Sequence, residues 1–369
     1  MQVKSITISQ FKNLKEVGIS FSPRFNCFVG DNGAGKTNIL DALYLLSMTK
    51  SFFNSTDVMN IRHGDDFFSV RASYVRSGEE LELFCSYSAS SKKSFKRNGK
   101  QYEKLGDHIG YVPLVMVSPE DIDLILGGSE VRRKWLDMVI SQCDSDYLFT
   151  LMKYNKVLQQ RNTLLKSMQG AMLCDSSLIE VWDDRLVELG EVILKVRQRF
   201  IDEFCPIFDS YYKAVSGGNE SVFLTYKESV ASGEFAKTLV ASLGKDVALG
   251  YTSVGIHKDD LNMQLDEYPI RKVGSQGQKK SFIIALKFAM YEWLMQRKGV
   301  KPLLLLDDIF DKLDPSRVRA ILNIVGSDSF GQVFITDTRR ESVEEMLKSL
   351  GADFSLFEIE KGEVKDGNS

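Results

Sequence analysis

Eight residues constrain this chain more than any other stretch. Gly30-Asp31-Asn32-Gly33-Ala34-Gly35-Lys36-Thr37 stand between an apolar run, Phe25–Val29, and the apolar stretch Leu40–Met48. The spelling is G-x-x-x-x-G-K-[ST], and it sits where that motif has meaning, after a strand and at the start of a helix. Its glycines let the backbone wrap closely around phosphate oxygens with N–H groups turned inward. The helix N-terminus adds the positive end of its dipole. Lys36 brings a point charge to the β- and γ-phosphates, and the Thr37 hydroxyl is a ligand for Mg²⁺. These eight residues are read as an ATP site.

A phosphate loop needs an acidic partner, and the chain offers one late. Leu303-Leu304-Leu305-Leu306-Asp307-Asp308 is an apolar strand ending in two carboxylates. Asp307 fits the residue that holds Mg²⁺, and Asp308 fits the catalytic residue that orients the attacking water. Aspartate is one methylene shorter than the glutamate found in many such sites. The expected activity is therefore a weak ATPase whose hydrolysis acts as a timer.

Between these two motifs lies a third. Gly274-Ser275-Gln276-Gly277-Gln278-Lys279-Lys280 opens a long helical stretch. A small turn with a serine at a helix N-terminus favours an anion. Ser275, Gln276, Gly277 and Gln278 resemble the signature loop of ABC-type ATPases, which caps the γ-phosphate held by the opposite subunit. Asp311 and Asp314 follow the acidic strand as a D-loop does in that group.

The periodicity divides the chain. Val3–Ile8, Val17–Phe21, Phe67–Tyr74, Glu80–Tyr87 and Val112–Val117 read as strands, with Asn98-Gly99 as a tight hairpin turn. From Glu130 to about Phe204 the pattern is helical, with Leu178, Trp182, Leu186, Leu189, Ile193, Val196, Phe200 and Phe204 on one stripe. A short loop at Gly170–Ser177 makes this either an antiparallel arm or a packed helical lobe. After Gly250 helix and strand alternate, as in a parallel sheet covered by helices. The expected organisation is a head from residues 1–117 and 251–369 with a helical insertion, 118–250. The tail Lys361–Ser369 reads as frayed.

Longer stretches carry a resemblance. Phe11-Lys12-Asn13-Leu14 and Asp41-Ala42-Leu43 look like the SMC-related group. Ser118-Pro119-Glu120-Asp121, Arg132-Arg133, Tyr154 through Lys166, His257-Lys258-Asp259-Asp260-Leu261 and Ser275-Gln276-Gly277-Gln278 resemble the RecF family of bacterial recombination and gap-repair proteins. The resemblance implies an α/β fold: a P-loop, SMC-like ABC-type ATPase head built from both chain ends, with a mainly helical lobe inserted. It also implies ATP and Mg²⁺ as cofactors and an ATP-dependent homodimer that clamps DNA at single-strand/duplex junctions. RecR and RecO are the implied partners, with RecA loading as the outcome. The chain departs from the family at Phe53, where arginine is frequent, and at Ile256 and Lys258. No glutamine near Val112–Val117 offers a glutamine loop.

Bulk properties narrow the function further. The net charge is −3, so nucleic acid cannot be held by overall charge. The insertion 118–250 has 15 Lys/Arg and 20 Asp/Glu, which leaves 32 (47 − 15) against 30 (50 − 20) in the head. The head is thus the DNA side. Lys92, Lys93, Lys96, Arg97, Lys100 and Lys104 crowd one hairpin there, with Phe95 and Tyr102 interleaved. That composition suits phosphate contacts and equally suits a solvated hairpin. The five cysteines and three histidines show no metal spacing. No apolar run reaches about 18 residues, and the longest, Ile283–Met295, is broken by Lys287 and Glu292. The expected location is cytoplasmic, away from membranes. A transporter ATPase is disfavoured by the 239 residues between Lys36 and Ser275. An OLD-type nuclease is disfavoured by the 55 residues after Asp314.

Overall fold

A computed structural model of the 369-residue chain describes residues 1–169, 177–218, 220–310, 313–349, 351 and 353–365. The chain opens with β1 (Gln2–Phe11), β2 (Leu14–Ser20), β3 (Phe25–Val29) and α1 (Lys36–Met48). An antiparallel run follows, β4 (Phe67–Arg76), β5 (Glu79–Ser88), β6 (Ser94–Arg97) and β7 (Lys100–Gln101), then β8 (Leu114–Val117). The middle holds α2 (Asp123–Leu126), α3 (Ser129–Cys143), α4 (Ser145–Met168), α5 (Ser177–Ser216), β9 (Val222–Lys227) and α6 (Phe235–Leu249). A hairpin, β10 (Asp260–Leu265) and β11 (Tyr268–Pro269), and α7 (Ile270–Val273) complete it. The last part is α8 (Gln276–Lys298), β12 (Leu303–Asp307), α9 (Pro315–Gly326), β13 (Val333–Asp337), α10 (Arg340–Ser349), β14 (Phe354–Glu360) and β15 (Glu363–Lys365).

Two compact units emerge. The first gathers Met1–Asp121, Ala214–Gly217 and Lys280–Ser369, and the second Ile122–Lys213 and Gly218–Lys279. The first unit has two sheets, ordered β2-β1-β4-β5-β6-β7 and β15-β14-β3-β13-β12-β8. In the second of these, β14, β3, β13, β12 and β8 run parallel. Its central strands are buried at every position, which is why they read as continuous apolar runs. The other sheet alternates, with Ile6, Ile8, Val70, Ala72, Leu83 and Cys85 inside. α1 touches strands of both sheets. It is therefore apolar almost all round, and Ile39, Leu40, Leu43, Leu45 and Leu46 each stabilise by about 1.5–3 kcal/mol through burial.

The second unit packs its helices around two fully buried arginines. Arg161 of α4 bonds Asp183 of α5 (2.5 Å), Asp246 of α6 (2.7 Å) and Thr252 (2.9 Å). Arg197 of α5 meets Asp137 (2.8 Å), Tyr226 (3.1 Å) and the carbonyl of Ile256 (2.9 Å). Arg197 lies on the predicted apolar stripe with Leu186, Ile193, Phe200 and Phe204, all buried. Leu178, expected on that stripe, is 57% exposed, and Ile179 takes the inner position.

The structure moves the expected boundaries, and Ser118–Asp121 and Ala214–Gly217, expected in the insertion, belong to the first unit. Residues 251–279, assigned to the head from sequence, belong to the second unit, because β10 pairs along its whole length with β9 of the insertion. The expected frayed tail is ordered through Lys365, since β15 pairs back onto β14. Gly170–Ser176 of the predicted arm loop lies outside the described residues.

His108 is buried in the first unit and His257 is half-buried in the second. His108 bonds the carbonyl of Leu46 (2.8 Å) and Tyr102, and His257 bonds Tyr154 and the carbonyl of Thr252 (3.0 Å). Burial pushes both imidazoles down to about 4. Below about pH 6.5 the unfolded chain then binds protons that the folded chain refuses. Stability is accordingly full at neutral pH and falls as pH drops from about 6.5 to about 4, by up to about 3 kcal/mol per histidine. Urea midpoints at pH 7 and pH 5, with NMR titration of the two rings, check this. Rings titrating near 6.5 would contradict it.

Candidate nucleotide-binding site

The phosphate loop leaves β3 at Gly30 and enters α1 at Lys36. Gly30 has φ 148°, and a Cβ on it would lie 2.2 Å from the carbonyl oxygen of Ile359, so no side chain fits. Gly35 precedes α1, whose first turn has neither a side-chain cap nor an acidic residue. Its positive end is left for an anion. The Lys36 ammonium is folded onto the loop, donating to the carbonyls of Gly30 (2.6 Å) and Asp31 (2.8 Å). Burial lowers its pKa, against the raising pull of Asp308 and Asp307.

Parallel pairing brings the acidic strand beside this loop. Thr37 at the start of α1 donates its hydroxyl to Asp307 Oδ1 (2.8 Å), and Thr336 of β13 donates to the same oxygen (2.7 Å). Burial raises the Asp307 carboxyl above the usual range, partly offset by these two hydroxyls. Asp308 takes a left-handed φ of 48°, and its amide donates to Thr336 Oγ1 (3.0 Å). The cleft between loop and strand ends holds about 290 Å³, with Pro119, Asp307, Asp308, Thr336 and Thr338 facing Asn32, Gly33 and Gly35 through Asn38.

The loop is also braced from outside by both ends of the chain. Asn13 donates to the carbonyl of Gly33 (3.1 Å) and accepts from Asn38 (2.7 Å). Gly362, in the β14–β15 turn, donates its amide to the carbonyl of Ala34 (2.8 Å). Gly362 has φ 83°, and a Cβ there would sit 2.3 Å from the carbonyl oxygen of Asn13. Next to this clasp, Lys12 pairs with buried Asp41 (2.6 Å). The Lys12 ammonium lies 4.9 Å from the ring centre of Phe53, the residue that stands where arginine is frequent.

The other predicted residues lie elsewhere. Ser275 precedes α8, accepting from the Gln278 amide (3.2 Å) while Gln278 Oε1 accepts from the Ser275 amide (2.7 Å), a reciprocal cap. Ser275 and Gln276 are exposed. Asp314 caps α9 through the amides of Ser316 (3.1 Å) and Arg317 (3.0 Å), and Asp311 lies outside the described residues. In the basic hairpin the Asn98-Gly99 turn has two positive φ angles, as a tight hairpin requires. The six cations are not equivalent. Lys93 is largely buried and bound to Asp57 (2.6 Å) and the carbonyl of Thr49 (2.6 Å), so it is a structural residue rather than a free contact. Arg97 is stacked 4.5 Å from Tyr111, and Lys96 is half-buried. Lys92, Lys100 and Lys104 are exposed.

Sequence reasoning missed Asn13, Pro119, Thr336, Thr338 and Gly362. Only Thr336 and Thr338 had a usable signal. They end an apolar strand in an alternating helix–strand region, and such strand ends form the binding edge of a parallel sheet.

With the geometry in hand, comparison with known proteins is direct. Residues 2–356 match the model of the RecF/RecN/SMC N terminal domain. The DNA replication and repair protein RecF of Bacteroides fragilis is 48% identical over 367 residues, covering 99% of this chain and 98% of that protein. RecF of Flavobacterium johnsoniae is 46% identical over 359 residues, covering 97% of this chain and all of that protein. Among solved structures, the recombination mediator protein RecF-ATP in the RecFOR pathway superposes with TM-score 0.90 at 32% identity, covering 100% of this chain and 98% of that chain. The Pyrococcus furiosus Smc head domain, at TM-score 0.58 and 18% identity, shares the fold.

The clasp makes a prediction far from the loop in sequence. Gly362→Ala forces a left-handed φ on a side chain that meets Asn13, at about 1–2 kcal/mol. If half or more of that strain is relieved by releasing Ala34, ATP affinity falls about twofold to thirtyfold. Calorimetric titration with ATP measures it, with circular dichroism confirming the fold. Unchanged affinity would show that the clasp does not hold the loop.

Proposed function

The chain belongs to the RecF family within the RecF/RecN/SMC N-terminal domain group, and from that premise we propose that it is an ATP-gated DNA clamp of recombinational repair. The observation that carries this reading is the convergence of Lys36, Thr37 and Asp307 on one cleft. The β- and γ-phosphates rest on the amides of the loop and the start of α1, and Lys36 exchanges its loop carbonyls for phosphate oxygens. Thr37 Oγ1 and Asp307 Oδ1, 2.8 Å apart, are the groups that would hold Mg²⁺, Asp307 through water. A Mg²⁺ ion held there would supply positive charge against the phosphates. Asp308 at the cleft wall orients the attacking water, and its short side chain keeps hydrolysis slow. The RecF-ATP relative supports ATP as the nucleotide.

Ser275 completes the site across a homodimer. Its reciprocal cap with Gln278 rigidifies a helix start that has no acid in its first turn and is followed at once by Lys279 and Lys280. Such an end favours an anion, here the γ-phosphate on the partner's loop. Asp311 and Asp314, which follow the acidic strand in sequence, are assigned to the D-loop. Because ADP lacks that phosphate, ATP drives dimerisation and ADP does not. The RecFOR pathway named for the solved relative supports RecR and RecO as partners, and the family resemblance implies RecA loading at cytoplasmic DNA gaps as the outcome.

Mixing two defective chains tests the shared site. Lys36→Ala removes ATP binding, and Ser275→Arg keeps it but blocks the cap. Each alone is inactive. Together they restore part of the hydrolysis, on the Ser275→Arg chain's ATP capped by the other chain's intact Ser275. Full hydrolysis by a dilute monomer, seen by sedimentation alongside the assay, would end the shared-site reading.

Exposed Lys92, Lys100 and Lys104 are the hairpin's proposed phosphate contacts. Reversing their charges weakens DNA binding and flattens its salt dependence, by about 0.9 in log–log slope for each duplex phosphate left without its lysine, with ATP affinity unchanged. Lys93→Glu instead lowers thermal stability, because it puts a carboxylate beside Asp57. Fluorescence anisotropy at several salt concentrations decides, and an unchanged slope would move the DNA surface elsewhere.

A further inference from the structure

α8 is apolar along most of its length, and Lys287 interrupts it while remaining buried. Its ammonium donates to the carbonyl of Met116 at the end of β8 (2.8 Å) and pairs with Asp121 Oδ1 (2.6 Å). The side chains of the pair are 2% and 7% exposed. Asp121 Oδ2 in turn accepts from the amide of Ser118 (2.8 Å), which closes Ser118–Asp121 into a tight turn. Pro119, inside that turn, lines the nucleotide cleft. Apart from Ala214–Gly217, the first unit's chain runs out at Asp121 and resumes in α8 at Lys280. One buried ion pair thus fastens the outgoing turn to the incoming helix.

Stability alone does not account for it. Burying two charges costs several kcal/mol each, and an apolar pair of similar volume is often as stable or more so. The pair instead specifies geometry, because both of Lys287's bonds fix α8 to the end of β8. Ser275 lies 12 residues before Lys287 and directly precedes the same helix. This segment also supplies the cleft wall on the side where no glutamine is found.

We propose that Asp121 and Lys287 are positioning residues that link the nucleotide cleft to the signature loop. A γ-phosphate that shifts the Pro119 turn moves α8 with it, and so sets Ser275 for its partner. The link rests on the reading of Ser275 as the γ-phosphate cap. Neither residue touches the nucleotide.

The test uses Asp121→Leu/Lys287→Met, which removes both charges together and leaves no buried charge unpaired. Amide exchange of residues 274–281 is followed by mass spectrometry in dilute full-length protein, with Mg-ATP and with Mg-ADP. In the parent, ATP slows exchange about fivefold or more relative to ADP. The double variant binds ATP like the parent but loses this difference. A double variant that responds like the parent, or a parent with no difference between ATP and ADP, overturns the link. Sedimentation in parallel reports separately on the cap: a parent that fails to dimerise with ATP removes the shared-site reading, while the exchange result still decides the link.

Discussion

One oxygen atom organises the first unit's chemistry. Asp307 Oδ1 accepts the hydroxyls of Thr37 and Thr336, which come from α1 and β13, at 2.8 and 2.7 Å. This can happen only because β13 lies between β3 and β12 in parallel register, with Thr336 opposite both Asp307 and Phe28. The ladder places the three strand ends on one edge, and α1 starts from that edge. Thr336 reaches further by accepting the Asp308 amide, so Asp308 is aimed by its neighbour strand while its own backbone is left-handed. The carboxylates, the loop and the helix start are therefore one assembly.

Electrostatics prepares that assembly for a highly charged ligand. Burial pushes Lys36 down and Asp307 up, each toward its neutral form, while their mutual attraction opposes both shifts. A bound anion beside Lys36, or a cation beside Asp307, relieves the same cost. Rigidity comes from the far side of the loop, where Asn13 and Gly362 hold its carbonyls. Residues near the two ends of the chain thus meet on one phosphate loop. A long insertion can then be accommodated without disturbing the loop's support.

Much of this was legible before the fold was known. The octapeptide and the doubled aspartates are local spellings, and local spelling controls strand, turn and helix start. β3 appears at its predicted residues, and β12 runs from Leu303 into the first of the two aspartates, as read from the sequence. Charge was less legible. Six cations on one hairpin looked alike, yet Lys93 is spent on Asp57, a residue 36 positions away. Buried Arg161 and Arg197 lay in helical stretches that read as ordinary amphipathic faces, because their carboxylate partners come from other elements.

The sequence by itself determined which segments carry a phosphate-loop spelling and which carry acids, because those properties belong to residue types at fixed short spacing. Only the tertiary structure decided which partners meet. β9 recruits β10 and so carries residues 251–279 into the second unit. β15 folds back and places Gly362 on the phosphate loop. Lys287, a mere interruption of an apolar run in the sequence, becomes the partner of Asp121. Such pairings are set by strand register and helix packing between positions far apart in the chain, and no local pattern encodes them.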